Sequence, residues 1–209
     1  MASSTKKKKK QNLLQWVVEP LIDEPSYLQK SNSYRGSNLP EDFRIKIEVF
    51  DKGYRLDTFL TLPIPREKAF VFFENPKNLF DITPDWLDFR MVANKNGDKV
   101  FEGAEYDYYI RWFGLKFKWR SRIQAYNPPY DFTDIQIVGP YSKWEHTHIF
   151  KEQGESTLMF DTVVYKIPFS NLGRAVHGLF VKNQLQDIFC YRALKIGEWI
   201  KGLRDEDSI

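Results

Sequence analysis

The sequence predicts an α+β fold in which a curved antiparallel sheet wraps around a long C-terminal helix, with two short helices after the first core strand. Residues 45–167 consist mostly of short runs in which apolar and polar side chains alternate, separated by turn residues, as is typical of antiparallel strands. Residues 171–202 contain no proline and repeat apolar side chains at helical spacing. A sheet with one face in water needs a cover for its dry face, and this helix is the only predicted element long enough.

The first predicted elements are two strands and two short helices. Alternation over residues 45–49 predicts a half-buried strand, and residues 55–62 predict the next one. Pro63 ends that second strand, and Pro65 can open a helix because its missing N–H costs little in the first helical turn. Residues 78–82 predict a second helical turn.

Six further strands are predicted before the long helix. The strand over residues 115–125 alternates most regularly, with four basic side chains on one face and Phe117, Trp119 and Ser121 on the other. The basic face must lie in water, so Trp119 and its neighbours point inward. The six strands cover residues 87–92, 104–112, 115–125, 130–138, 141–151 and 157–167.

Two of the three histidines lie on one face of the strand over residues 141–151. Successive side chains of a strand alternate between faces, so His146 and His148 share a face with Trp144 and Phe150. The following strand can bring Asp161 opposite the histidines. Extending the inward assignment to the neighbouring strands gathers a polar patch on an aromatic wall, and we assign as ligand-binding residues Trp119, Asp134, Gln136, Trp144, His146, His148, Asp161 and Tyr165.

Three interpretations of this polar patch stay open. It can be a satisfied network that fixes strand register, because buried charges need partners. It can supply the few polar contacts of an apolar ligand cavity. It can also form a metal site, since a His-x-His pair plus a carboxylate can make a facial triad, and Glu152 adds a carboxylate of the right parity. We assign no metal and no cofactor to the chain.

Acid–base chemistry by His146 or His148 with Asp161 is chemically available. No nucleophile motif and no glycine-rich phosphate loop points to a specific reaction, so we assign no catalytic residue. His177 is expected to be a partly exposed residue of the long helix, and Cys190 a small core residue.

The chain has 209 residues, enough for one domain with a sizeable core and an extension. Its aromatic content of 16% is high, and aromatic side chains fill large cores or line apolar cavities. Cys190 is the only cysteine, which excludes an internal disulfide and a cysteine-based zinc site and fits a cytoplasmic setting. No apolar run approaches the ~18 residues needed to span a bilayer.

Residues 1–45 are predicted to form a basic and irregular extension, and residues 46–209 the folded domain. Subtracting the five lysines of residues 6–10 from the net charge of +3 leaves −2 for the rest, so no nucleic-acid partner is expected. Basic charge followed by apolar side chains can hold a protein on an anionic membrane, and the same residues can dock on a partner protein. The residues concerned are Lys6, Lys7, Lys8, Lys9, Lys10, Leu13, Leu14 and Trp16.

An ordered set of short motifs resembles one protein superfamily. The motifs are PIPRE at residues 63–67, FTDIQ at 132–136, WEHTHIF at 144–150, MFD at 159–161, and IF and YR within 188–192. They resemble the SRPBCC superfamily (START-related, helix-grip), and in particular its bacterial, ligand-binding and polyketide cyclase-like branch. The resemblance implies a helix-grip fold with a cavity between sheet and helix. The superfamily hosts lipid carriers, hormone receptors, cyclases and assembly factors, so the fold alone does not decide the function.

We therefore expect a non-catalytic binding or carrier protein in the cytoplasm. It would hold an apolar or amphipathic small molecule, such as a lipid, between the sheet and the C-terminal helix. One alternative is an accessory subunit of a larger complex at the membrane surface, docked through the N-terminal extension. The other is a cyclase-like or metal-dependent enzyme that uses His146, His148 and Asp161.

Overall fold

A computed structural model describes residues 38–93, 100–112, 115–168 and 177–206. It confirms the α+β class, because an eight-stranded antiparallel open sheet is combined with a C-terminal helix. The strands are β1 (Arg44–Phe50), β2 (Gly53–Leu62), β3 (Arg90–Ala93), β4 (Glu105–Trp112), β5 (Leu115–Asn127), β6 (Asp131–Val138), β7 (Lys143–Gln153) and β8 (Ser156–Lys166). The helices are α1 (Arg66–Glu74), α2 (Asn78–Asp81) and α3 (Lys182–Glu206).

The order of strands across the sheet is β1-β2-β8-β7-β6-β5-β4-β3, with every neighbouring pair antiparallel. The last strand of the sequence therefore lies between β2 and β7, in the middle of one half of the sheet. This placement joins the opening hairpin to the meander that runs from β3 to β8.

The two short helices follow the second strand and not the first. β1 and β2 form a hairpin closed at Asp51 and Lys52 before the chain leaves the sheet, and α1 begins directly after Pro65. The strand predicted over residues 87–92 is also displaced. A 3-10 turn covers Asp85–Leu87, and β3 begins only at Arg90, because Asp88 ends the turn in the left-handed conformation with φ 43°.

The main core lies between α3 and the inner face of the sheet. Leu185, Phe189, Ala193 and Ile196 recur every three or four residues along α3 and are all buried in one apolar cluster, which confirms the predicted helical stripe. Within the described residues, a π-helical turn at His177–Val181 precedes α3. The predicted helix start at residue 171 lies outside the described residues.

β5 departs from simple alternation near its end. Its pairing with β6 shifts register between Ile123 and Ala125, as in a β-bulge, and Tyr126 then pairs with the buried Phe132. Tyr126 therefore packs against the core in place of Ala125, which regular alternation places inward. After the bulge, the residues at the end of β5 that face the interior are those that regular alternation would place outside.

The N-terminal extension lies outside the described residues from 1 to 37. The membrane or partner contacts expected at Lys6, Lys7, Lys8, Lys9, Lys10, Leu13, Leu14 and Trp16 therefore stay predictions. Among the described helices, none is long and apolar enough to cross a membrane.

The β1–β2 turn offers a test of local strain. Asp51 and Lys52 have φ angles of 41° and 58°, the left-handed region that a two-residue hairpin turn requires and that glycine adopts readily. We expect Lys52→Gly to raise the free energy of unfolding by about 0.5–1 kcal/mol, as measured by urea denaturation. Lys52→Ala keeps the strain and serves as the control. Equal stability of the two variants would contradict this explanation.

Candidate functional site

A cavity of about 190 Å³ lies between the sheet and the helices. One water molecule needs only ~10–15 Å³ by the same kind of measure, so the space suits an organic molecule. Apolar side chains from the helices and from β4 to β7 form most of its walls. They include Phe72, Phe73, Leu79, Leu87, Phe89, Tyr106, Tyr108, Trp119, Ile123, Phe132, Trp144, Leu185, Ile188 and Phe189.

Four ionisable side chains form one polar wall of this cavity. Asp134 lies on β6, His146 and His148 lie on β7, and Arg192 lies on α3. The β6–β7 register pairs Asp134 directly with His146, so the two strands bring their polar residues together on one face. Arg192 follows Phe189 by three residues along α3, which places it on the stripe that faces the sheet.

Asp161 on β8 completes a row of alternating acids and histidines. Its Oδ1 atom lies 2.6 Å from His148 Nδ1 and 3.4 Å from His146 Nε2. His146 Nδ1 in turn lies 3.6 Å from Asp134 Oδ1, and Thr58 Oγ1 donates a hydrogen bond of 3.4 Å to Asp161 Oδ2. His146, His148 and Asp161 are all buried, so this row lies almost entirely out of water.

Burial moves the pKa values of this row in opposite directions. It raises the pKa of Asp134 to about 6, because the charged carboxylate loses its hydration. It lowers the pKa of His146 to about 3, with a further contribution from neighbouring His148, so His146 is neutral at pH 7. Burial also acts to raise the pKa of Asp161, but His148 and His146 outweigh it and hold that pKa well below its usual range.

Several buried polar atoms of the wall lack a well-aligned hydrogen bond within the part of the chain that the structure describes. These atoms are His146 Nε2, His148 Nδ1, Asp161 Oδ1 and Arg192 Nε. The contact of His148 with Asp161 is short, yet it lacks hydrogen-bond alignment. His146 Nε2, His148 Nδ1 and Asp161 Oδ1 face one another and so belong to the buried row of acids and histidines. Arg192 Nε is the remaining atom. A buried polar group without a partner costs about 1–3 kcal/mol, so this atom beside the cavity is suited to contacting a bound molecule.

The structure brings together most of the predicted ligand-binding residues but not all. Five of them line the cavity, and these are Trp119, Asp134, Trp144, His146 and His148. Asp161 is not among the lining residues and supports the two histidines. The Gln136 side-chain amide does not line the cavity and hydrogen-bonds to the Tyr141 backbone. It donates to the Tyr141 carbonyl at 2.7 Å and accepts from the Tyr141 N–H at 3.2 Å. Tyr165 is fully buried and its hydroxyl lies 2.8 Å from His177 Nε2.

The expectation that His177 is partly exposed is wrong. His177 is buried, stacks on the Tyr54 ring with 3.4 Å between ring centroids, and contacts the Tyr165 hydroxyl. Burial, with a smaller contribution from Lys182, lowers its pKa to about 4. The sequence around His177 could not predict its burial, because its partners Tyr54 and Tyr165 come from β2 and β8. Cys190 is buried as expected.

Arg192 is the charged residue of the polar wall that was not among the predicted ligand-binding residues. Its guanidinium interacts electrostatically with Asp161 and Asp134, and it also lies over the Phe189 ring at 4.9 Å. A signal was available in the sequence, since an arginine at the helical spacing of Leu185, Phe189 and Ile196 interrupts an otherwise apolar stripe.

The same wall contains the residues best placed to hold a metal ion. Asp134, His146 and His148 each offer one ligand atom, and these atoms lie within 4.8 Å of one another. Two histidines and a carboxylate suit a divalent transition metal, and Asp161 could orient both imidazoles as an outer carboxylate. The guanidinium of Arg192 beside them opposes a second cation. Glu152 lies elsewhere, where it pairs with Arg66 at 3.1 Å.

Comparisons with known proteins support the fold. No family model and no curated protein matches the chain. Protein Ms6760 from Mycobacterium smegmatis is similar in structure with a TM-score of 0.55 and 12% identity, covering 76% of this chain and 99% of that chain. TTHA0849 from Thermus thermophilus has a TM-score of 0.53 and 16% identity over 71% of this chain and 98% of that chain. A protein from Arthrobacter aurescens has a TM-score of 0.56 and 9% identity over 73% and 91%. At these identities the likeness shows the fold alone.

The raised pKa of Asp134 predicts a specific dependence of stability on pH. Between about pH 4 and pH 6 the folded protein binds a proton that the unfolded chain has released, so stability falls as pH rises through this window and stays reduced above it. We expect Asp134→Asn to be more stable than the parent by about 1–3 kcal/mol at pH 7.5, with the difference vanishing below about pH 4.

Urea denaturation across pH 4 to 8 measures this difference. Asp81→Asn is the matched control, because Asp81 is exposed on α2. A gain for Asp134→Asn that does not change with pH would show that burial of the charge is not its cause.

Proposed function

We propose that this chain binds an apolar or amphipathic small molecule in the cavity between the sheet and α3, as a binding or carrier protein. The observation that carries the proposal is the cavity of about 190 Å³ with mostly apolar walls and one cluster of buried ionisable side chains. We also propose that the fold is the helix-grip fold of the SRPBCC superfamily, which is in keeping with the sheet, the C-terminal helix and the space between them.

The shape of the walls favours a ligand with an apolar body. Trp119 and Trp144 meet edge to face with 5.3 Å between ring centroids, and Phe73 packs against Phe150 at 5.4 Å. Aromatic side chains packed in this way form rigid apolar walls with few competing rotamers. Burial of the ligand's apolar surface against them would supply most of the binding free energy.

The polar wall favours a neutral polar group at one end of that ligand. Arg192 interacts electrostatically with two carboxylates, Asp134 and Asp161, so an anionic head group beside it would also face these two acidic side chains. Such a head group would lose its hydration and meet more acids than bases. A hydroxyl or carbonyl group can instead accept from Arg192 Nε, which lacks a partner within the described residues.

A cavity-filling substitution tests the location of binding. Ile188 lines the cavity from α3, so Ile188→Trp should place the larger side chain in the space and weaken uptake of the apolar dye N-phenyl-1-naphthylamine by at least about tenfold. Dye fluorescence measures uptake, and native mass spectrometry of the full chain shows any co-purified ligand. Ile137→Trp, at an exposed position of β6, is the matched control.

Two outcomes would overturn the binding function. One is the absence of both saturable dye uptake and co-purified ligand in the folded parent. The other is equal dye affinity in the Ile188→Trp variant, the Ile137→Trp variant and the parent, which would place the dye outside this cavity.

A pair of ligands of equal chain length tests the polar wall. We expect a medium-chain fatty alcohol to displace the dye at lower concentration than the matching fatty acid at pH 7.5, because Asp134 is then ionised. Asp134→Asn should narrow or reverse the preference, because it removes one of the two acidic charges that interact with Arg192. Asp81→Asn should leave the preference as it is. A parent protein that prefers the acid would contradict this assignment of the wall.

A second candidate function is proton transfer to or from the bound molecule. The specific observation in its favour is a cavity-lining carboxyl, Asp134, whose pKa of about 6 lies near neutral pH, as suits a general acid or base. Incubating the parent with its co-purified ligand and following the ligand by mass spectrometry tests this candidate. Conversion by the parent but not by Asp134→Asn would support it, and an unchanged ligand would leave binding as the function.

A further inference from the structure

The middle of the outer face of β2, β8 and β7, together with the start of β6, is buried, although the cavity and α3 lie on the other face. Apolar side chains on this outer face are almost completely shielded from water, with exposures of 7% for Phe59, 7% for Ile149, 5% for Phe160 and 6% for Val164. The parity of the strands places them opposite to the cavity residues, since Ile149 lies between His148 and Phe150 on β7.

Polar side chains on the same face are buried and paired. Thr162 Oγ1 donates to Asp57 Oδ1 at 2.8 Å, and Arg55 Nε donates to the same atom at 2.8 Å. Thr133 and Thr147 share a hydrogen bond of 2.9 Å across β6 and β7. An outer face that lay in water would not need to satisfy its polar groups internally, so these pairs are typical of a covered surface.

The burial is confined to this half of the sheet. On β5 the outward side chains, such as Lys116, Lys118 and Arg122, are exposed. The outer face is therefore exposed on β5 and at the end of β6, where Ile137 lies, and buried from the middle of β2 to the start of β6.

The described helices do not account for this cover. α1 packs on the cavity side, where Phe70 contacts Phe132 and Phe150. α3 packs on the same side, where Phe189 lies edge-on to His146 with 5.8 Å between ring centroids. The helices of the described part of the chain therefore do not shield the outer face, and another segment or molecule must do so.

We propose that residues 1–37 of the same chain bind across the outer face of β2, β8, β7 and β6. The described chain begins at residue 38, packs Pro40 near Gly197 of α3, and enters the sheet through β1, the edge strand beside β2. The extension can therefore reach the outer face by passing around this edge of the sheet. A segment of that length can reach about 120 Å when extended, whereas four strands span less than ~20 Å.

The composition of residues 1–37 fits such a role. The segment carries more large apolar and aromatic side chains than a solvated linker needs. These are Leu13, Leu14, Trp16, Val17, Val18, Leu21, Tyr27, Leu28 and Tyr34. Burying them on the domain's own sheet would extend the folded unit beyond the predicted boundary at residue 45. The proposal is independent of the cavity and of the ligand function.

Photo-crosslinking in the full-length chain tests the proposal. Ile149 is replaced by a diazirine-bearing aliphatic residue of similar size, and the same residue at the exposed Lys118 is the control. Irradiation should join position 149 to a peptide from residues 1–37 within one chain, with a yield that does not change on tenfold dilution. Position 118 should give no such product.

The contrary outcomes are distinct. A crosslinked dimer whose yield falls on dilution would assign the face to a second copy of the chain. Crosslinks only to another protein, or no crosslink to residues 1–37 at all, would also overturn the proposal.

A stability measurement gives a second, independent test. The double substitution Leu14→Ser and Trp16→Ser should shift the urea midpoint of the whole domain to a lower concentration, because the segment would contribute buried apolar surface. Lys7→Ser with Lys8→Ser is the matched control in the same segment and should leave the midpoint in place. Equal midpoints for both variants and the parent would overturn the proposal.

Discussion

The buried carboxylate of Asp161 is the group on which the polar wall of the cavity depends. A carboxylate removed from water is costly unless partners surround it, and here the partners are His148, His146 and Thr58. They surround Asp161 only because β8 lies between β2 and β7 in the observed register. A slip of one residue in either pairing would turn these side chains to opposite faces. The charge arrangement of the wall therefore depends directly on the order and register of the strands.

The same constraint separates the roles of the four polar residues beside Arg192. Asp161 faces both imidazoles and lies behind them, whereas Asp134 lines the open space. His146 lies between the two acids, and His148 contacts Asp161. As a result, one carboxylate is held ionised by its neighbours while the other has its pKa raised by burial. A cavity wall with such contrast is suited to positioning a polar group of a bound molecule.

The strands β5 and β8 differ in how well the alternation of side chains predicts which residues are exposed. On β5 the basic and apolar side chains alternate, and the observed exposures follow that alternation up to the bulge before Tyr126. On β8 the apolar run is nearly continuous, and side chains on both faces are buried. A continuous apolar run is typical of a strand covered on both sides. The expectation of a single wet face is correct for only one half of the sheet, because the other half is covered.

The sequence by itself determined the α+β class, the run of antiparallel strands, the apolar stripe of the last helix, and the shared face of His146 and His148. These features depend on local periodicity, which neighbouring residues of the chain carry. Only the tertiary structure decided that Gln136 binds a turn, that Tyr165 and His177 contact each other, that Arg192 joins the polar wall, and that space remains beside it. Each of these depends on the distance between elements far apart in sequence, which packing sets and local patterns do not encode.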